Sequence, residues 1–145
     1  MSSENVEIVR AGNDLWNGRK LHPEERSWEQ VAQQPAAIAL IGADMLFASK
    51  VLPDHAGEEY RGVDGVARAG ELWIEDCEWV LVEQLEIIDA DEHVVSSHKV
   101  HMKMRHTSLE FDFPAAWVYT FHEGKCVRAE AFVDIGEARE AAGLE

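Results

Sequence analysis

Basic residues are scarce in this chain: 13 lysines and arginines stand against 28 aspartates and glutamates over 145 residues, a formal net charge of -15. A surface so acidic repels nucleic acid and anionic membrane surfaces, which removes both from the expected partners. Cysteine is nearly absent. Cys77 and Cys126 lie far apart, with no CxxC pair and no histidine at metal spacing, so neither a disulfide framework nor a zinc site is expected. No apolar run is long enough to span a bilayer. The opening Met-Ser-Ser-Glu-Asn has neither the basic nor the apolar region of a signal peptide, and a cytoplasmic location is expected. There is no GxSxG elbow, GxxxxGK phosphate loop or GxGxxG fingerprint, so no cofactor is expected. Repeats and linkers are missing too, and the length suits one domain over residues 1–145.

What the chain does have is a stretch, Asp91 to Asp134, in which three strands alternate in step. Val94, Ser96, His98, Val100, Met102 and Met104 share one face, with Val95, Ser97, Lys99, His101, Lys103 and Arg105 on the other. The next run sets Leu109, Phe111, Phe113, Ala115, Trp117, Tyr119 and Phe121 against Glu110, Asp112, Pro114, Ala116, Val118 and Thr120. A turn near Thr107 and Ser108 is expected to place Lys103 opposite Asp112, Arg105 opposite Glu110 and His98 opposite Trp117. The second turn, His122-Glu123-Gly124-Lys125, admits a two-residue hairpin or a three-residue loop with Gly124 in a bulge. The bulge is preferred, because it turns Val127, Ala129, Ala131 and Val133 inward and sends Arg128, Glu130 and Asp134 out. Bulky aromatics beside small alanines then leave room for a helix or a ligand.

Upstream, Val6, Val9, Asn13 and Trp16 fall on one helical stripe ending near Gly18. A second helix starts at His22-Pro23, carries Trp28 and Val31, and stops before Pro35. Ala36 to Ile41 is a short apolar stretch, Asp44 to Lys50 a short strand or extended segment, and Leu52 to Gly57 a loop whose His55 is within reach of lidding a pocket, although an exposed loop histidine usually does nothing. A third helix from about Asp64 carries Trp73, Ile74 and Cys77, and Trp79 to Ile88 is a strand of poor alternation whose facing stays open. Asp134 caps a final helix, with Glu137 three residues on. Helices followed by antiparallel strands make an α+β protein whose helices cover one face of a bent sheet.

Several segments in order carry a resemblance: Glu4 to Val9 with Leu15-Trp16-Asn17, Leu52-Pro53-Asp54, Tyr60-Arg61-Gly62-Val63-Asp64-Gly65-Val66, Phe121-His122-Glu123-Gly124-Lys125 and Glu137 to Leu144. Together the chain resembles the SnoaL-like proteins of the nuclear transport factor 2-like superfamily. The resemblance implies a cystatin-like, cone-shaped α+β barrel, a bent antiparallel sheet wrapped around three N-terminal helices with a pocket between, often as a homodimer. It implies cyclase, isomerase or dehydratase chemistry as a class without choosing among them. By position, the ketosteroid isomerase tyrosine falls at or beside Asn13, its general-base aspartate near Ser49 and its second acid near Trp117, so that carboxylate mechanism is not expected.

The expected chemistry therefore centres on His98, the only titratable group in the middle of the oily face, as general base, with Tyr119 or Asn13 polarising a carbonyl or alkoxide. The pocket wall is expected to add Val100, Met102, Phe113, Ala115, Trp117, Ala129 and Ala131, with Ser49 and the helical Trp16, Trp28 and Trp73. His98 and His101 point to opposite faces and share no metal. The expected partner is a small, mainly apolar, oxygen-bearing compound, either turned over or simply bound. A second copy is expected on the outer sheet face, at Lys99, His101, Val118, Thr120 and Phe132.

Overall fold

The computed structural model of the chain describes residues 2–25, 27–42, 44–49, 59–107 and 109–144, and its architecture is set by strands long enough to bend. In chain order the elements are α1 (Ser2–Asn13), β1 (Lys20–Leu21), a 3-10 turn (Pro23–Glu25), α2 (Ser27–Ala32), α3 (Pro35–Ile41), β2 (Leu46–Ser49), β3 (Glu59–Arg61), α4 (Gly62–Ile74), β4 (Cys77–Ala90), β5 (His93–Met104), β6 (Glu110–His122), β7 (Lys125–Phe132) and α5 (Ile135–Ala141). The sheet runs β1-β4-β5-β6-β7-β2-β3 and does not close. Every pair is antiparallel except β2 with β7, which is parallel. Among the described residues four helices, not three, precede the long strands; the apolar run after Pro35 is α3, with proline at the first helical turn where its missing N–H costs nothing. The Leu52 to Gly57 loop, with His55, lies outside the described residues. No helix among those described is long and apolar enough to cross a membrane.

The period-2 facing of β5 and β6 is as the alternation predicts. Val94, Ser96, His98, Val100 and Met102 are buried inward, and Lys99 is exposed. The register, however, is shifted by two: Lys103 pairs with Glu110, His101 with Asp112 and His98 with Ala115. A shift of two keeps every side chain on its face while changing every partner. Just past β5, the Arg105 N–H donates to the Asp76 carbonyl (2.9 Å), its guanidinium reaches Glu24 (2.9 Å) and the Cys77 carbonyl (3.1 Å), and His106 is in the left-handed region at φ 70°. The Lys103 ammonium pairs with Glu78 of β4, at 2.9 Å.

The β6–β7 connection is the two-residue hairpin. Glu123 and Gly124 are both left-handed (φ 52° and 80°), and His122 pairs with Lys125. The extra residue sits further on, where Phe121 pairs with Cys126 and Thr120 with Arg128, so Val127 is extruded and exposed. Ala129 and Ala131 face inward as expected; Val127 and Val133 do not. β4 explains its own poor alternation, because register breaks at Glu78 and Leu85 each reset the period; Cys77 begins this strand instead of closing α4.

On the outer face α5 covers Val95, Ala116, Val118 and Phe132 with Ala138 and Ala142. The two apolar residues on which the expected dimer face rested are thus already covered within the chain. Asp134 starts this helix, its Oδ1 accepting from the N–H groups of Gly136 (2.6 Å) and Glu137 (3.3 Å). Replacing Asp134 by Ala should lower stability by about 1 kcal/mol, read as a lower urea midpoint at unchanged slope. An unchanged midpoint would show that packing alone holds α5.

Candidate functional site

Side-chain size along β7 creates the space. Ala129 lies between Tyr119 of β6 and Phe47 of β2, and Ala131 pairs with Trp117. Two alanines beside Tyr119, Phe47 and Trp117 make a trough in the sheet, and the helices roof it. The resulting cavity is about 100 Å³ and is lined by Asn13 and Gly12 of α1, Trp28 of α2, Leu40 and Ile41 of α3, and Val66, Gly70 and Trp73 of α4, above Ala115, Trp117, Tyr119, Ala129 and Ala131. Trp16, just past α1, closes one side by meeting Trp117 edge-on at 5.3 Å. Gly70 is required where it stands: a Cβ there would lie 2.7 Å from Cγ of Trp28.

A buried polar chain runs behind this wall. Asn13 Nδ2 donates to Gln84 Oε1 and to Ser96 Oγ, both at 2.8 Å, and Ser96 Oγ is 2.8 Å from His98 Nε2. The bond between Ser96 and His98 holds in either imidazole tautomer. Asn13 is fully buried, and with both amide hydrogens engaged its Oδ1 is left without a partner. Trp28 Nε1 is likewise buried and unpartnered. Each is an exception to the rule that buried polar atoms are hydrogen-bonded.

His98 does not line the cavity. It is 1% exposed, its ring against Trp16 at 5.1 Å and Trp117 at 4.6 Å, so two indoles and Ala115 stand between it and the space. Burial drives its pKa down to about 3. An imidazole held neutral that strongly is a poor proton acceptor near neutral pH. Val100 and Met102 pack in the core beneath Trp16 and Trp28, and Phe113 stacks on Phe111 at 5.9 Å; none of the three lines the cavity. Ser49 pairs with Ala131 at the end of β2, and its side chain is not described. Asn13, Trp16, Trp28, Trp73, Ala115, Trp117, Tyr119, Ala129 and Ala131 all line the cavity. The sequence reading missed the contribution of α3 and of Phe47 and Gly70. The signal for α3 was the apolar run behind Pro35.

Among the described residues the lining holds no carboxylate, lysine, arginine or histidine. Tyr119 is pushed well above its ordinary pKa, by burial first and by neighbouring Cys126 second. The Cys126 thiol is itself pushed up to about 12 by burial and stays protonated. Nor do the described residues contain three or more His, Cys, Asp or Glu grouped to hold a metal.

Neither protein-family models nor curated proteins match this sequence. Solved structures do. An NTF2-like protein of unknown function from Burkholderia pseudomallei is 16% identical, with 94% of this chain and 95% of that one covered at a TM-score of 0.67. A candidate SnoaL-like polyketide cyclase from Jannaschia sp. is 14% identical, with coverage of 99% and 94% and a TM-score of 0.65. A protein of ketosteroid isomerase-like fold from Catenulispora acidiphila, crystallised in complex with trimethylamine, is 16% identical, with coverage of 86% and 96% and a TM-score of 0.57. With an unclosed, bent sheet packed around helices and a cavity between them, this chain has the NTF2-like, cystatin-type α+β fold.

Proposed function

We propose that the protein binds a compact, mainly apolar, oxygen-bearing small molecule in the cavity between sheet and helices, without turning it over. The observation that carries this reading is the alanine trough, a preformed space walled by aromatics with few polar atoms, the usual make-up of a small-molecule site. Acid/base turnover needs a group that gains and loses a proton near neutral pH. His98 is walled off and neutral, and Tyr119 is displaced upward. The size of the space favours a small ligand: a dry cavity of roughly 150 Å³ accommodates benzene, and this one is about 100 Å³. The complex of the structurally similar Catenulispora protein with trimethylamine, a molecule on that scale, is in keeping with it.

Two measurements test this. Ala131→Leu projects its added carbons into the trough beside Trp117. It should abolish binding of compact ligands in a tryptophan-fluorescence titration and leave the unfolding midpoint equal or higher. Undiminished binding by the folded variant would move the site elsewhere.

The second measurement is an NMR pH titration of the histidines. His98, with a folded pKa of about 3 against 6.5 when unfolded, should show no titration between about pH 5 and 8. Its contribution to stability is whole above the unfolded value and is lost as pH falls from 6.5 toward 3, because the unfolded chain takes up the proton first. His101 behaves oppositely. Burial alone would lower its pKa, but hydrogen bonds to Asp112 and Glu83 outweigh burial and raise it, so its contribution is present below 6.5 and lost as pH rises through the raised value. A neutral-range midpoint for His98 would reinstate it as a base.

A further inference from the structure

The polar side-chain atoms around the cavity are unequal, and their differences bear on the ligand's polar end. The lining contributes the Asn13 amide, four indole N–H groups and the Tyr119 hydroxyl. Asn13 is spent: its Nδ2 donates to Gln84 and Ser96, and its Oδ1 is sealed within the protein, as is Nε1 of Trp28. The remaining indole N–H groups, those of Trp16, Trp73 and Trp117, donate and never accept, so none of them calls for a donor on a ligand.

The Tyr119 hydroxyl is different. Tyr119 points inward from β6 between Val94 of β5 and Ala129 of β7, and the small alanine leaves one side of it open to the trough. The residue is 6% exposed, and its oxygen, unlike the two sealed atoms, keeps accessible surface while making no hydrogen bond among the described residues. The neighbouring Cys126 thiol is engaged elsewhere, 3.4 Å from Met45 Sδ and 3.5 Å from the Arg128 carbonyl. Burial first, and Cys126 second, hold the hydroxyl's pKa above its ordinary value, so it keeps its proton. A desolvated O–H without an acceptor is costly, and a ligand oxygen relieves that cost.

We infer that the ligand's polar end is an acceptor oxygen that receives the hydrogen bond of Tyr119, on a compact neutral molecule with no donor of its own, such as a small ester, ether or carbonyl compound. This rests on the binding reading above and deepens it, assigning the oxygen to one residue and setting amides and other donor-bearing compounds at a disadvantage. Among the described lining residues a ligand donor meets one open side-chain oxygen, that of Tyr119, which the ligand's own acceptor already occupies. The same lining has no carboxylate, lysine, arginine or histidine to offset the lost hydration of a charge, which favours a neutral molecule.

The test titrates three rings of matched size, γ-butyrolactone, 2-pyrrolidinone and cyclopentane, into the intact protein and its Tyr119→Phe variant, followed by calorimetry and by the fluorescence of the four lining tryptophans. The lactone should bind about tenfold tighter than the lactam, whose N–H goes unpaired. Tyr119→Phe keeps the ring and removes the hydroxyl, so it should weaken the lactone about tenfold and leave cyclopentane within about twofold. Because the hydroxyl has no partner in the described protein, the ligand-free variant should unfold at an unchanged or higher temperature. A clearly lower unfolding temperature, undiminished lactone binding by the variant, or lactam binding as tightly as lactone would each overturn the inference and leave the binding reading in place. If none of the rings perturbs the tryptophans of the intact protein or releases heat, the binding reading itself fails and this inference with it.

Discussion

The structure hangs on a hydrogen bond between a helix and a sheet at full burial. Asn13, the last residue of α1, donates to Gln84 of β4 and Ser96 of β5, and Ser96 passes the contact to His98. Apolar packing tolerates sliding, but a directed amide does not, because displacement strands a desolvated group. The chain therefore fixes how far α1 sits above the strands and at what angle Trp16 follows it. That position brings Trp16 against Trp117 and closes the cavity on one side. His98, prominent as a lone titratable group, ends this chain as a structural member. Its depressed pKa records the dryness that makes the Asn13 bonds hold.

Much of the fold was legible where one physical signal dominated. β5 and β6 alternate without interruption, so their facing could be read residue by residue. Their register could not, because a slip of two leaves every side chain on its own face, and the residues around the turn are held by segments distant in sequence, Arg105 bonding the Asp76 carbonyl, Glu24 and the Cys77 carbonyl. β4 resisted reading since two register breaks reset its period. For β7 the expected inward face of Ala129 and Ala131 is present through a different device: the turn is tight, and the odd residue is taken up at Val127 instead. Facing is governed by the count of residues and not by where the count is corrected, so both routes orient the alanines alike.

The site divides along the same line. Residues expected in it from periodicity on α1, α2, α4, β6 and β7 do meet around the cavity, because each stripe points one way and the elements converge. Val100, Met102, Phe113 and His98 share the inward face but do not line the cavity: the first three pack in the cluster of Trp16 and Trp28, and His98 lies against Trp16 and Trp117. Alternation tells which face a side chain occupies and nothing about where along a bent sheet the roof lifts. Gaps are set by small residues, and the alanine pair was the part of the pattern that carried the location.

Gly70 carries a different lesson. Its missing Cβ lets the indole of Trp28 lie directly on the backbone of α4, at a separation a methyl group would violate. Trp28 is a wall of the cavity, so the calibre of the space is governed by a position with no side chain. Any residue larger than glycine there would tip the indole, and the atom-poor face of α4 acts as a spacer for the whole chamber.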